Sequence, residues 1–297
     1  MLRGVLLFPK APDQHKPDRP MIPNGIGVFY VLVSVTYLFL MYSFDVIQTS
    51  NGVSKPLTLA VCILFGGFMG LLDDWIDLRW RYKAFLPLVA AIPLCSLASW
   101  LNLRLAISIP MLGTINFGIY YYFLIIPLLV TIFTNTVNQL GGLNGLETVC
   151  PAIIMIGLMI LSRSNAIMLY GPLAVWLVLA FFNSRGKIFV GNSGSFAIGM
   201  TLAAFAIISD VKFDLAVSLL PYILNSALIL LTFFFSRAKA HVSFDGSRLS
   251  SNHRRSLITL ITYHRPLTER QVVLAISLVV AAATLVDLLF HVLRTSF

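Results

Sequence analysis

The chain has 297 residues, of which 58% are hydrophobic and only 11% charged, with a mean hydropathy of +0.88 and a formal net charge of +9. A soluble domain carries about 25% charged residues, so the composition excludes an ordinary soluble fold. In a soluble protein this positive charge would suggest nucleic acid; on a membrane chain it points to a basic cytoplasmic face that meets anionic lipid or phosphate ligands, and no nucleic-acid partner is expected.

Backbone polar groups in lipid must be satisfied internally, so continuous apolar runs of about 20 residues predict helices across a bilayer core of about 30 Å. Barrel strands would alternate over about 10 residues, and these runs do not. The expected fold is an all-α polytopic membrane protein forming one domain, 1–297, with nine spans. Residues 1–26 come first. Met1 to Phe8 is too short for a cleavable leader and Pro9 to Pro23 is polar, so none is expected. Spans follow at 27–47 and 57–72.

The second span ends in Leu71-Leu72-Asp73-Asp74-Trp75-Ile76-Asp77-Leu78-Arg79-Trp80-Arg81-Tyr82-Lys83. Adjacent carboxylates at a helix end suit Mg²⁺, which takes one or two carboxylates plus substrate phosphates, or supply a general base. Lys and Arg nearby suit phosphate oxygens. The plainer reading is an interfacial anchor, which fits the aromatics and Arg79 equally well but fits Asp73-Asp74 poorly, because acids at a membrane boundary are costly.

After a span at 84–101, Arg104 to Ile109 and Thr114 to Phe117 alternate around Pro110 and Gly113, which predicts a short extracytoplasmic β-hairpin. The span 119–137 runs into Asn135-Thr136-Val137-Asn138-Gln139-Leu140-Gly141-Gly142-Leu143-Asn144-Gly145-Leu146-Glu147. Glycines there allow close backbone approach to a ligand, and amides can coordinate a metal or read a nucleobase edge. A capped helix–turn–helix is the competing reading. Spans at 146–162 and 166–182 precede Phe189-Val190-Gly191-Asn192-Ser193-Gly194-Ser195, a candidate anion cradle at a helix N-terminus or an unliganded cap. Spans at 195–209, 214–235 and 268–293 complete the set, with a basic loop at 236–267 between the last two. That loop can hold a diphosphate or anionic lipid heads, although most of its residues, His241 and His264 included, read as a solvated face.

Nine spans place 16 of the 21 Lys and Arg on the side carrying 1–26, 73–83, 138–147, 183–195 and 236–267. The positive-inside rule makes that side cytoplasmic. Cys62, Cys95 and Cys150 lie in apolar runs, where neither a disulfide nor a metal cluster is expected.

Taken together, these motifs resemble the polyprenyl-phosphate N-acetylhexosamine-1-phosphate transferases. The resemblance rests on Ile22-Pro23-Asn24, Asp73-Asp74 with Leu78 to Lys83, Asn138 with Gly142 to Glu147, and Phe189-Val190-Gly191. Leu78 to Lys83 and Gly142 to Glu147 are similar to the dolichyl-phosphate branch of eukaryotes and archaea; the bacterial branch would carry an Asp near Gly141. The resemblance implies transfer of N-acetylhexosamine-1-phosphate, GlcNAc-1-phosphate above all, from a UDP-sugar to polyprenyl or dolichyl phosphate, with Mg²⁺, or Mn²⁺ in its place, as cofactor. By the same resemblance Asn138 and the residue at position 192 bind the metal. Asp73, Asp74 and Lys83 serve catalysis beside the lipid phosphate. Asn144 reads uracil, Glu147 joins the substrate site, and Arg237, His241 and Arg248 take the diphosphate and sugar. An integral cell-membrane location with a cytoplasmic site and a homodimer are further expectations. The chain departs from the family in having Asn192 where an Asp metal ligand is the rule, which implies weakened metal binding and a large loss of rate. It also begins where the first cytoplasmic loop of ten-span relatives would lie.

Other classes explain less. A CDP-alcohol phosphatidyltransferase would need an Asp-x-x-Asp-Gly pattern that the chain lacks. A transporter would place charges at mid-membrane in two repeated halves. An inactive relative, or an engineered Asp-to-Asn variant, that binds nucleotide sugar without turnover stays open because of Asn192.

Overall fold

The computed structural model describes residues 8–47, 53–100, 106–109, 113–237 and 240–295. A small antiparallel pair, β1 (Lys10–Pro12) and β2 (Met21–Pro23), leads into α1 (Val28–Ser43) and α2 (Lys55–Ile76). Next come α3 (Trp80–Ala90), α4 (Ile92–Trp100) and the hairpin of β3 (Ala106–Ile109) with β4 (Gly113–Asn116). A π-helical turn at Tyr121–Ile125 opens α5 (Ile126–Gln139), followed by α6 (Leu146–Leu161), α7 (Ile167–Asn183) and α8 (Gly191–Ile208). The chain closes with α9 (Lys212–Ser218), α10 (Leu220–Ser236), a two-residue pair β5 (Ser243–Phe244) and β6 (Leu249–Ser250), α11 (Leu257–Ile261) and α12 (Glu269–Thr295).

Among the described residues, five helical segments are long and apolar enough to cross a membrane: Lys55–Ile76, Trp80–Ser99, Tyr121–Gln139, Gly191–Ile208 and Glu269–His291. The bent pair α9–α10 makes a sixth, and α1, α6 and α7 are shorter apolar helices. Every apolar run expected to span is therefore helical, but the lengths support five or six crossings by themselves. The expected span at 214–235 is two helices meeting at 64°. Pro221 in the first turn of α10 explains the break: it fits a helix start but cannot continue one. The hairpin expected near 104–117 is present with Ile107 opposite Ile115; residues 104, 105 and 110–112 of that expectation lie outside the described set.

Helix α8 is the axis of the bundle: every residue from Ser193 to Ile208 is buried. A helix apolar all round is stable only when enclosed, and the small residues Ala197, Gly199, Ala203 and Ala204 let neighbours close on it. Its tightest neighbour is α2. A Cβ added at Gly66 would lie 2.8 Å from Met200 Cβ, and one at Gly70 would lie 2.1 Å from the Asn192 carbonyl oxygen. Only glycine fits at Gly70, so the end of α2 is pressed onto the start of α8.

That contact sets the geometry of one end of the bundle, where the polar motifs gather. The N-terminal strands are stitched to the segment before α8 by Ile26 N–H to Phe189 O (3.2 Å), Gly27 N–H to Val190 O (2.9 Å) and Phe189 N–H to Pro23 O (2.8 Å). The loop between α10 and α12 folds back over the same end. Asn225 Oδ1 accepts Leu257 N–H at 2.9 Å, and Ser256 and Thr259 form a reciprocal cap for α11.

Candidate active site

Asp73 and Asp74 are neighbours with different tasks. Asp73 is buried, its Oδ1 accepts Leu78 N–H at 3.0 Å and lies 2.7 Å from Lys83 Nζ. Its other oxygen is buried without a hydrogen-bond partner. The left-handed turn at Asp77 swings α3 back so that Lys83 reaches Asp73. Asp74 points the opposite way. Its Oδ1 accepts Asn192 N–H at 2.9 Å and its Oδ2 accepts Ser193 N–H at 3.0 Å. The anion cradle expected at the start of α8 is thus filled by the chain's own carboxylate. The physical basis is the one anticipated: free N–H groups and the positive end of a helix favour a negative group. Gly70, one turn before Asp74, brings the two helices close enough for this.

Asp74 also lines a cavity of about 370 Å³, together with Asn138, Glu147, Asn192 and Ser195 from α5, α6 and α8, and with Asp13 to His15, Asn24 and Phe189. Ser195 hydroxyl donates to Asn138 Oδ1 at 2.5 Å. Glu147 Oε1 accepts Gly142 N–H at 2.9 Å, which pins the glycine turn to the first turn of α6. Four expected residues, Asp74, Asn138, Glu147 and Asn192, therefore share one cavity. They form a hard, oxygen-rich set of the kind that divalent Mg²⁺ or Mn²⁺ prefers.

Asn144 does not line that cavity. It lies behind the wall, 8% exposed, in a network the sequence did not announce. Its Nδ2 donates to Asp13 Oδ2 at 2.7 Å and to Glu269 Oε1 at 3.0 Å, and its backbone N–H donates to Glu269 Oε1 at 2.8 Å. Lys16 Nζ sits 2.5 Å from Glu269 Oε2. The ligand atoms of Asp13, His15 and Glu269 all lie within 4.8 Å of one another, with Lys16 and the Asn144 amide already set against the two carboxylates. Asn144 Oδ1 is buried and has no partner. A buried carbonyl without a donor costs about 1–3 kcal/mol, which a ligand N–H could recover.

A second cavity, about 310 Å³, adjoins the first and shares Gln14, His15 and Gly142 with it. His241 lines it, with Gln139, Asn225 and Ser256. His241 N–H donates to His253 Nε2 at 3.2 Å. Burial, then the charges of Arg255 and His241, push the His253 imidazole below its usual value. Arg237 and Arg248 line none of the described cavities. Arg237 is the exposed, left-handed cap of α10, and Lys239 of the same cluster lies outside the described residues. Arg248 closes the β5–β6 turn, where Asp245 Oδ1 accepts its N–H at 2.7 Å and that of Ser247 at 2.9 Å. Those two bonds hold the Asp245 carboxyl below its ordinary range.

The third space is an apolar groove of about 560 Å³ between α3, α5 and α10. Trp80, Ala227, Leu230, Phe233 and Phe234 form its walls, and Lys83 stands beside them. Asn138 lines both this groove and the first cavity; Gln139 lines both the groove and the second. A polar chamber and an apolar channel therefore meet at the end of α5.

Residues 56–210 match glycosyl transferase family 4. A Saccharolobus solfataricus protein, provisionally named a UDP-N-acetylglucosamine–dolichyl-phosphate N-acetylglucosaminephosphotransferase, is 34% identical over 272 residues, 88% of this chain and 82% of that protein. The Saccharomyces cerevisiae protein of that name is 27% identical over 265 residues, 72% of this chain and 58% of its own length. A phospho-N-acetylmuramoyl-pentapeptide-transferase of a Synechococcus species is 29% identical over 171 residues, 54% of this chain and 50% of its own.

Proposed function

Because this chain belongs to glycosyl transferase family 4, we propose that it transfers GlcNAc-1-phosphate from UDP-GlcNAc to dolichyl phosphate. The relatives' names carry the reaction class, and the observation that carries it into this chain's geometry is the junction at Asn138. One residue borders both a polar cavity suited to a nucleotide sugar and an apolar groove suited to a prenyl tail. A phosphate oxygen of the lipid attacks the β-phosphorus of UDP-GlcNAc. A phosphorus–oxygen bond forms there as the bond to the bridging oxygen breaks, and UMP departs.

Such transfer is mostly positioning and charge neutralisation. The tail lies in the groove, which brings the lipid phosphate to Lys83. The Asp73 carboxylate holds that ammonium in place, and the pair orients the attacking group. Asn138, Asn192 and Glu147 would supply the oxygen set for Mg²⁺, with Asn138 and Asn192 as its ligands. Bound there, the ion would neutralise diphosphate charge. Ser195 holds the Asn138 amide, and the Asp74 carboxylate fixes the backbone that carries Asn192. The uracil ring enters beside Phe189; the Asn144 oxygen, buried behind that wall, would have to be uncovered by a shift of the wall to accept its N3–H. His241 borders the adjoining cavity, which takes the sugar and part of the diphosphate. Arg237 and Arg248 would have to swing in with their loop to join it.

All nine apolar helical segments are read as crossings, which puts the motif-bearing end and 16 of the 21 Lys and Arg on the cytoplasmic face of the cell membrane, where nucleotide sugars are available. The test is transfer of label from UDP-[³H]GlcNAc into organic-soluble lipid by purified protein with Mg²⁺ and dolichyl phosphate. Labelled lipid and stoichiometric UMP are expected. Failure to transfer label or release UMP, with binding of the nucleotide sugar retained, would leave an inactive binding protein in its place.

A further inference from the structure

We infer that Asp13 and Glu269 are specificity-setting residues: they lock the Asn144 amide in one orientation and thereby make the site select uridine over cytidine nucleotides. This rests on the reading of Asn144 as the uracil contact and adds what gives that contact its sign.

A side-chain amide is ambiguous, because rotation by half a turn exchanges an acceptor for a donor. At Asn144 the exchange is blocked. Its two amide hydrogens meet two carboxylate oxygens, Asp13 Oδ2 at 2.7 Å and Glu269 Oε1 at 3.0 Å. Ionised carboxylates accept and cannot donate, so a turned amide would set oxygen against oxygen. Each oxygen of the two carboxylates is already engaged. Glu269 Oε1 receives the Asn144 backbone N–H, Glu269 Oε2 is held by Lys16, and Asp13 Oδ1 receives His15 N–H at 3.3 Å. Hence Oδ1 is the atom left over, buried and unpartnered.

An unpaired acceptor, once the shift of the wall uncovers it, distinguishes pyrimidines. Uracil presents N3–H, a donor. Cytosine presents a bare N3 lone pair at the same place, which would face Oδ1 in repulsion. A site that holds an unpaired acceptor rejects a base without the matching donor. Asp13 lines the cavity itself and Glu269 opens α12, so three chain segments far apart in sequence converge on one amide.

The experiment measures UMP and CMP affinities of the full-length purified protein by calorimetry, for the natural chain and for Asp13→Asn, Glu269→Gln and Asn144→Ala, with melting curves for each. The natural chain is expected to prefer UMP. Asp13→Asn and Glu269→Gln introduce an amide donor that can satisfy a turned Asn144. Each is expected to shrink the UMP:CMP preference roughly fivefold or more, about the weight of one hydrogen bond. A purely structural role would weaken both nucleotides alike. If both carboxylate variants keep the ratio of the natural chain while Asn144→Ala loses it, the locking role is overturned and the uracil contact stands. If Asn144→Ala leaves UMP affinity unchanged, the uracil reading fails, and this inference with it.

Discussion

Replacing Asp74 by Asn removes a charge at constant volume and separates two roles that a membrane-boundary aspartate can have. In the structure both of its oxygens are engaged, by Asn192 N–H at 2.9 Å and Ser193 N–H at 3.0 Å, at the first turn of the most enclosed helix. An amide has a single acceptor oxygen, so one of the two N–H groups would meet an NH₂. Bonds to an ionised acceptor contribute about 1.5–3 kcal/mol, and a stranded buried donor costs about 1–3 kcal/mol. The helix end adds about 0.3–1 kcal/mol. Asp74 borders a cavity, so water can partly replace what is lost, and about 3 kcal/mol is the expected total. At about 2–4 °C per kcal/mol for chains of this order, the melting midpoint falls by roughly 6–12 °C. Thermal unfolding in one detergent, with and without UDP-GlcNAc, measures this alongside label transfer. An unchanged midpoint with abolished transfer would refute the reasoning, since the carboxylate would then be spent on the reaction rather than on α8.

Three other outcomes are expected. Asn192→Asp adds a carboxylate to the oxygen set and raises the apparent Mg²⁺ affinity in the transfer assay by about tenfold or more, the equivalent of 1.4 kcal/mol; no change in the Mg²⁺ titration removes position 192 from the metal set. Ala227→Trp fills the apolar groove and raises the KM for dolichyl phosphate by about tenfold, leaving that for UDP-GlcNAc alone; equal effects on both substrates would place the tail elsewhere. His253, held below its usual value by burial and by Arg255 and His241, takes up its proton at a lower pH in the folded loop than in the unfolded chain, where the imidazole titrates at about pH 6.5. The unfolded form then binds more protons, so the loop loses stability as pH falls from neutral through that range and regains it on return. The protection factor of the His241 amide, which faces His253 Nε2, reads this once the base-catalysed intrinsic exchange rate is divided out; a higher protection factor at pH 5.5 than at pH 7.5 would contradict it.

The sequence made some of this legible and not the rest, for physical reasons. Apolar runs reveal helices because burial in lipid demands internal hydrogen bonding, and each run is helical here. They do not reveal bends: the turn at Leu219 is signalled by Pro221 alone, and a proline in a first turn is ordinary. Alternation around Gly113 announced the hairpin, whereas β1 and β5 are too short to alternate. Motif composition collected Asp74, Asn138, Glu147 and Asn192, which do share a cavity. It was silent on Asp13, Lys16 and Glu269, and it named Ser195 only as part of the candidate anion cradle. Asn144 is separated from Asp13 by 131 residues and from Glu269 by 125, so their meeting belongs to tertiary structure alone. The signal that existed was chemical: Glu269, an acid in the first turn of a membrane span, needs a partner.

The shared wall at Asn138 and Gln139 also bears on how the enzyme must be assayed. One substrate arrives by diffusion in three dimensions from water, the other by diffusion in two dimensions within a leaflet, and the amides of two adjacent residues border both routes. The concentration that governs the groove is therefore the mole fraction of acceptor in the surrounding lipid or micelle, not its bulk molarity. Adding empty detergent at fixed total acceptor would slow turnover by dilution of a surface, while the same addition would leave the aqueous partner's saturation untouched. The products separate along the same divide, UMP into water and the diphospho-sugar sideways into the leaflet, so neither exit has to open for the other to clear.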